Sequence, residues 1–148
     1  MPKILIDADG CPVVDETIEI GEAYGIEVIL VADTSHVFSY EDISVIVADK
    51  GRDRTDFILL QNVEKDDIVI TQDYGLAALV LSRKAHPVSQ NGFLYTEDNM
   101  DDFLASRYMG SLMRKHKNHG PHMRKRTRED DERFIAILES LLESLLEE

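Results

Sequence analysis

Five aspartates stand at positions from which they could bind a divalent metal ion. Asp7 and Asp9 follow the apolar run 4–6, and the others come later in the chain. Carboxylates that share a cleft repel one another, so they need a positive partner. Mg²⁺ or Mn²⁺, which bind oxygen ligands, can supply that charge. The candidate metal ligands are Asp7, Asp9, Asp53, Asp56 and Asp73.

Short apolar runs alternate with helical patterns along the chain, which predicts an α/β fold with a mostly parallel sheet. The predicted strands cover 3–8, 27–32, 44–48 and 67–71, with a short edge element at 88 and 93–95. The predicted helices cover 12–24, 53–61, 74–83 and a segment beginning at 97, which Thr96 could cap. Ligands of open parallel sheets bind at the carboxyl ends of the strands. Four predicted strands have an aspartate there, at Asp7, Asp33, Asp49 and Asp73.

Thr71 ends the fourth predicted strand two residues before Asp73. Its hydroxyl could hydrogen-bond a neighbouring carboxylate and orient it, so Thr71 is the candidate orienting residue. Asp73 has a second explanation, because it precedes a predicted helix and could cap it. Both roles are compatible, since a carboxylate has two oxygens.

Positive charge is concentrated in one stretch of an otherwise acidic chain. The net charge is −13, yet residues 107–128 hold 8 of the 16 Lys and Arg and no acid. Such a stretch is suited to sequence-independent phosphate contacts, and a solvated loop that balances the acidic body is the alternative. The candidate phosphate or nucleic-acid ligands in it are Arg114, Lys115, Lys117, Arg124, Lys125 and Arg126.

The chain is predicted to contain an α/β domain over 1–114, a basic mobile linker or loop over 115–126, and an amphipathic C-terminal helix over 127–148. Thr127 and Asp130 resemble a capping box. The apolar stripe between 134 and 145 is expected to pack this helix on the domain. The alternative is that the stripe forms a dimer interface, so the sequence also allows a homo-oligomer.

Several motifs together resemble the bacterial YaiI/YqxD family of PIN-like proteins. They are IDADGCPV at 6–13, GRDRTDFIL at 51–59, VITQDYGLA at 69–77, NG at 91–92, TEDNM at 96–100 and RTREDDERF at 126–134. The resemblance implies a PIN-like three-layer α/β/α sandwich and a Mg²⁺- or Mn²⁺-dependent ribonuclease. It assigns Asp7, Asp53, Asp56 and Asp73 to the acidic cluster of PIN domains, which makes these four the candidate catalytic residues. Asp9 belongs to this family's own motif. PIN domains usually carry a further glutamate, for which Glu16 or Glu19 could stand.

Arg52 and Arg54 flank Asp53 and could hold the scissile phosphate. In the alternative interpretation, the two arginines only balance the negative charge of neighbouring aspartates. In the predicted reaction a metal-activated water attacks the phosphate, so no nucleophilic side chain is needed.

Three other functions compete with the nuclease. A haloacid-dehalogenase-like phosphatase would use Asp7 as its nucleophile, but Cys11-Pro12 replaces the residues expected after Gly10. A receiver-like module would be phosphorylated on Asp49. A PIN-like nucleic-acid-binding module without catalysis would bind RNA or DNA and leave it intact.

The sequence carries no signal-peptide pattern and no apolar run long enough for a membrane span. Its single cysteine, Cys11, cannot form an internal disulfide. These observations favour the cytoplasm. Cys11 is expected to serve packing or capping, because the acids near it oppose a thiolate.

Overall fold

A computed structural model describes residues 1–33, 43–48, 54–101 and 125–147 of the 148-residue chain. Five strands form one parallel sheet in the order β3-β2-β1-β4-β5. The strands are β1 (Ile4–Asp7), β2 (Val28–Asp33), β3 (Ser44–Ala48), β4 (Ile68–Ile70) and β5 (His86–Val88). The helices are α1 (Val14–Tyr24), α2 (Arg54–Asn62), α3 (Tyr74–Ser82), α4, described over 97–101, and α5 (Arg128–Leu146).

Alternating side chains of the strands divide the core into two layers. Ile4 and Ile6 point to the face covered by α1 and α5, whereas Leu5 between them points to the face covered by α2 and α3. All three are fully buried, as expected for a strand with helices on both sides. The predicted α/β sandwich with a C-terminal helix is therefore confirmed, and every strand pair is parallel.

The C-terminal helix α5 contributes directly to the core of the sheet. Phe134, Leu138 and Leu142 lie along one side of α5 and are fully buried in the layer that contains α1. At the start of α5, the backbone N–H of Thr127 donates to Oδ2 of Asp130 at 2.9 Å. This is the capping contact that the sequence predicts, with Asp in place of the usual Glu.

Several element bounds differ from the prediction by a single residue, and two elements differ by more. The first helix begins at Val14, not at Pro12, because Cys11 N–H donates to the carbonyl of Ala8 and closes a turn first. The edge element is a parallel strand at His86–Val88, and Leu94 forms only a single antiparallel bridge with Val88.

The loop after β5 lies against the backbone of α5 at Gly92. Gly92 has φ +89, and a Cβ placed on it would lie 2.6–2.8 Å from atoms of Arg133 and Phe134. We expect Gly92→Ala to lower the free energy of unfolding by about 2 kcal/mol, through positive-φ strain and the collision with α5. Chemical denaturation measures this loss.

Gly25→Ala is the matched control for this prediction. Gly25 has φ +68, but a Cβ there meets nothing within 4 Å, so only the backbone strain remains, about 1 kcal/mol. Equal losses in the two variants would show that the contact between the loop and α5 is not tight.

Of the helices in the described parts of the chain, none combines the length and apolar character needed to cross a bilayer.

Candidate active site at the switch point of the sheet

The strand order reverses between β1 and β4, because the chain builds β2 and β3 on one side of β1 and β4 and β5 on the other. Parallel sheets bind ligands in the crevice at the carboxyl ends of two such strands. Asp7 is the last residue of β1, and Thr71 directly follows β4. The two side chains that flank this crevice are therefore an acid and a hydroxyl.

Asp7 and Thr71 are in direct contact. The Thr71 hydroxyl donates to Oδ2 of Asp7 at 3.0 Å, and the same hydroxyl oxygen accepts the backbone N–H of Asp73 at 3.0 Å. Thr71 itself is 2 % exposed. A buried hydroxyl held from both sides fixes the orientation of the Asp7 carboxylate and joins it to the turn that carries Asp73.

Asp73 caps α3 while lying next to the crevice. Its Oδ1 accepts the backbone N–H of Leu76 at 3.1 Å, and its backbone is extended. This is the contact of a helix N-cap residue. Both explanations considered for Asp73 from the sequence therefore remain compatible with its position.

The charges of nearby acids act on Asp7. Burial raises the pKa of Asp7 above its ordinary value, the Thr71 hydrogen bond lowers it, and the charges of Asp73 and Asp9 raise it further. The rise means that these effects disfavour the ionised form of Asp7 in the folded chain. Asp73, which is distant in sequence, and Asp9 are thus both close enough for their charges to act on Asp7.

Asp9 is tied to the end of the neighbouring strand. Its Oδ2 accepts the backbone N–H of Asp33, the last residue of β2, at 2.8 Å. Gly10 follows at φ +71, where the chain turns toward α1. Asp9 therefore helps to hold together the carboxyl ends of β1 and β2, in addition to its electrostatic effect on Asp7.

Asp56 lies in the first turn of α2 and lines a groove that Asp73 also lines. The prediction for Asp53 lies outside the described residues, as do those for Asp49, Arg52, Arg114, Lys115, Lys117 and Arg124. The side chain of Arg54 is likewise not described, although Arg54 begins α2. No three His, Cys, Asp or Glu side chains within the described segments form a ready-made metal cluster.

Cys11 lies near the crevice as a protonated thiol. Burial raises its pKa to about 11, and the charges of Asp7 and Glu16 add to the rise while Arg126 opposes it. One carboxylate oxygen of Glu16, Oε2, is buried without a hydrogen-bond partner in the described segments. Of the two glutamates considered from the sequence, Glu16 is the half-buried one and Glu19 is exposed.

Arg126 fastens the described end of the basic stretch to the fold. Its Nε donates to Oδ1 of Asp131 at 2.7 Å, Nη1 to Oδ1 of Asn91 at 2.9 Å, and Nη2 to the carbonyl of Gln90 at 2.7 Å. Three of its five N–H groups are thus used within the protein. The predicted phosphate contact of Arg126 stays a prediction.

Gln72 has a structural role at the site that the sequence alone does not indicate. Its Oε1 accepts the hydroxyl of Ser89 at 2.6 Å and the backbone N–H of Gln90 at 3.1 Å. Tyr95 also holds the residues that follow β4, because its hydroxyl donates to the carbonyl of Thr71 at 3.3 Å. The only feature of the sequence that could have indicated this role of Gln72 is its position between two candidate site residues.

Sequence comparisons place this chain among bacterial relatives of similar length. A family model described as "Uncharacterized BCR, YaiI/YqxD family" matches residues 5–144. A UPF0178 protein of Alkaliphilus oremlandii is 46% identical over 92% of this chain and 88% of its own length. A UPF0178 protein of Exiguobacterium sibiricum is 44% identical over 95% of this chain and 96% of its own length. No solved structure matches the chain. The chain belongs to the YaiI/YqxD family.

Proposed function

We propose that this protein is a Mg²⁺- or Mn²⁺-dependent nuclease that hydrolyses phosphodiester bonds, with RNA as the favoured substrate. One observation carries the proposal: Asp7, held by Thr71 at the switch point, lies within electrostatic reach of Asp73 and Asp9. Converging acids at the ligand-binding edge of a parallel sheet favour a cation. The resemblance of the chain to PIN-like ribonucleases supports the same function.

The chemistry of the donors fits a hard divalent cation. The described candidates are the carboxylates of Asp7, Asp9, Asp56 and Asp73, and Asp53 would join them from the segment before α2. Oxygen donors of this kind suit Mg²⁺ and Mn²⁺. A bound cation would lower the pKa of a coordinated water and offset the charge that develops on the phosphate.

The residues of the chain have separate tasks in this proposal. Asp7 and Asp73 would hold the cation, and Thr71 fixes the orientation of Asp7 through its hydroxyl. Water is the nucleophile: its oxygen bonds to phosphorus and loses a proton to solvent, the ester P–O bond breaks, and the leaving oxygen takes a proton from solvent. The basic stretch 107–128 contributes contacts to the substrate backbone, which brings a phosphate-rich strand to an acidic protein.

Cleavage of end-labelled single-stranded RNA by the wild-type protein tests the proposal. We expect products with Mn²⁺ or Mg²⁺ and none with EDTA, and titration calorimetry should detect uptake of Mn²⁺. A parallel reaction with single-stranded DNA of the same sequence determines which nucleic acid is preferred.

No uptake of Mn²⁺ by the wild-type protein would contradict the proposal. Binding of RNA that survives EDTA, without any cleavage in Mn²⁺, would instead favour the PIN-like module that has lost catalysis. Covalent phosphate trapped on Asp7 with a fluoride analogue would favour the phosphatase.

A further inference from the structure

Gln72 lies between the candidate site residues Thr71 and Asp73, and its side-chain amide is held in one orientation. Two donors of the loop after β5 meet its Oε1, namely the Ser89 hydroxyl at 2.6 Å and the Gln90 backbone N–H at 3.1 Å. A backbone N–H can only donate, so the atom that faces Gln90 is the amide oxygen. The amide nitrogen, Nε2, is therefore the end of the side chain that is left for another partner.

The orientation of Gln72 depends on a buried residue. Ser89 is fully buried, and its Oγ accepts the backbone N–H of Asn91 at 3.1 Å while its proton goes to Gln72. Gln72 itself is exposed, and an exposed glutamine loses conformational entropy when a ligand fixes it. Because Gln72 is already fixed by the protein, it can bind a ligand without most of that loss.

The free end of the Gln72 amide lies beside the crevice. Within the segments that the structure describes, Nε2 makes no hydrogen bond. Thr71 is the preceding residue, and its side chain points to Asp7 on β1, whereas the side chain of Gln72 points to the loop after β5. The donors of Gln72 are therefore on the β5 side of the crevice, next to whatever is bound there.

A neutral donor suits this position better than a cationic one. Asp7 and Asp73 are the proposed ligands of the divalent cation, and a Lys or Arg between them would pair with the same carboxylates. The amide of Gln72 can donate to a phosphate oxygen without competing for these acids. Hydrogen bonds to an ionised oxygen are also stronger than those between neutral groups.

The loop that holds Gln72 also receives the described end of the basic stretch. Nη1 of Arg126 donates to Oδ1 of Asn91, and Nη2 donates to the carbonyl of Gln90. Burial raises the pKa of Cys11 near the crevice, and the charge of Arg126 opposes this rise, so the guanidinium lies close to the crevice. The positive charge of Arg126 and the donors of Gln72 thus lie on the same side of the crevice.

We propose that Gln72 is a substrate-binding residue that donates from Nε2 to a phosphate oxygen of the bound strand. This inference rests on the proposed function and specifies how the strand lies. The strand passes from the crevice across the carboxyl ends of β4 and β5 toward Arg126 and the basic stretch. The contact is to the backbone of the strand, so it does not depend on the base sequence.

Two substitutions separate the donor of Gln72 from its acceptor. Gln72→Glu keeps an oxygen for Ser89 and Gln90 and places a second, negative oxygen where Nε2 is now. Gln72→Met keeps the length of the side chain and removes both functions. Fluorescence anisotropy with labelled single-stranded RNA measures binding, with Ca²⁺ in place of Mn²⁺ because Ca²⁺ also takes oxygen ligands. We expect Gln72→Met to bind about tenfold more weakly than the wild type, and Gln72→Glu more weakly still.

Gln61→Glu is the matched control for the added charge. Gln61 is also exposed and lies near the end of α2, about 10 Å along the helix from Arg54, so this variant should bind RNA as the wild type does. An abasic strand of equal length keeps the phosphates and lacks the bases, and Gln72→Met should weaken its binding by the same factor. Calorimetry should show unchanged uptake of Mn²⁺ by Gln72→Met, and thermal unfolding verifies that each variant is folded.

The possible results separate this inference from the nuclease itself. If Gln72→Glu binds RNA as tightly as the wild type, Gln72 only holds the loop and the inference is wrong. A loss confined to the RNA strand would show a contact to a base, and a loss of Mn²⁺ uptake would show an effect on the cation site; either overturns the phosphate contact. Cleavage by a wild type whose binding does not depend on Gln72 would refute the contact and leave the nuclease. Binding that depends on Gln72, without cleavage in Mn²⁺, would support the contact and refute the nuclease. A wild-type protein that binds neither strand would refute both.

Discussion

Replacing Asp7 with Asn should reduce RNA cleavage by about 10²–10³-fold, which is the usual loss when a group that stabilises the transition-state charge is removed. The same substitution should make the metal-free protein harder to unfold at neutral pH. These opposite effects follow from one fact, namely that Asp7 is an acid held in a site that disfavours its charge. Asn keeps the shape of the side chain and can still accept the Thr71 hydroxyl.

The pH dependence of stability follows from the direction of the pKa shift. Burial, followed by the charges of Asp73 and Asp9, raises the pKa of Asp7 in the folded protein above the ordinary value of 3.8. Between 3.8 and the raised value, the folded state binds more protons than the unfolded state, so stability falls as pH rises through this window. The stabilisation by Asp7→Asn should therefore be largest above the window and disappear below it, where the Asp7 carboxyl is protonated in both states.

Thermal unfolding of the wild type and Asp7→Asn, measured from acid to neutral pH with and without Mn²⁺, gives both readouts. Mn²⁺ should raise the melting temperature of the wild type and have little effect on the variant, since only a ligand that binds the folded state stabilises it. Asp66→Asn is the matched control. Asp66 is exposed just before β4, at the opposite end of the sheet, and Asn accepts its positive φ as readily as Asp.

If Asp7→Asn is less stable than the wild type at neutral pH, the electrostatic description of Asp7 is wrong. If Asp7→Asn cleaves RNA as fast as the wild type, Asp7 is not a catalytic residue. Because thermal unfolding needs no enzymatic activity, it tests the role of Asp7 even if the substrate is not RNA.

The sheet could be predicted from sequence because its signals are local. The first four strands each contain a short apolar run followed by a polar residue, and the predicted bounds of Ser44–Ala48 are the observed ones. Parallel pairing then follows from alternation with helices, which places the strand ends at one edge. Asp7 and Asp73 could be named as neighbours on that basis, since their strands β1 and β4 are adjacent.

The parts of the site that the sequence did not indicate depend on contacts between distant segments. Nothing in the sequence indicates a role for Gln72, because its hydrogen bonds are to Ser89 and Gln90 in the loop after β5. In the sequence Arg126 resembles the other cations of the basic stretch, and only the fold brings its acceptors on Asn91, Gln90 and Asp131 within reach.

Asp73→Asn should reduce RNA cleavage by about 10²–10³-fold while leaving α3 capped. Asn is as good an N-cap residue as Asp, and its side-chain oxygen can accept the Leu76 N–H as Asp73 does now. The variant thus removes the charge and keeps the structural contact. Asp73→Ala removes both, so it should lose activity and also about 1 kcal/mol of unfolding free energy.

The two variants separate the roles of Asp73 because they differ in the cap alone. NMR titration of the Asp7 carboxyl adds a readout independent of catalysis: in Asp73→Asn its pKa should move down toward the ordinary value, since one of the charges that raise it is gone. If Asp73→Asn retains full activity and Asp73→Ala loses only stability, then Asp73 is a helix cap. The catalytic acids would then have to be sought among Asp7, Asp53 and Asp56, because the charge of Asp73 would have no part in holding a cation.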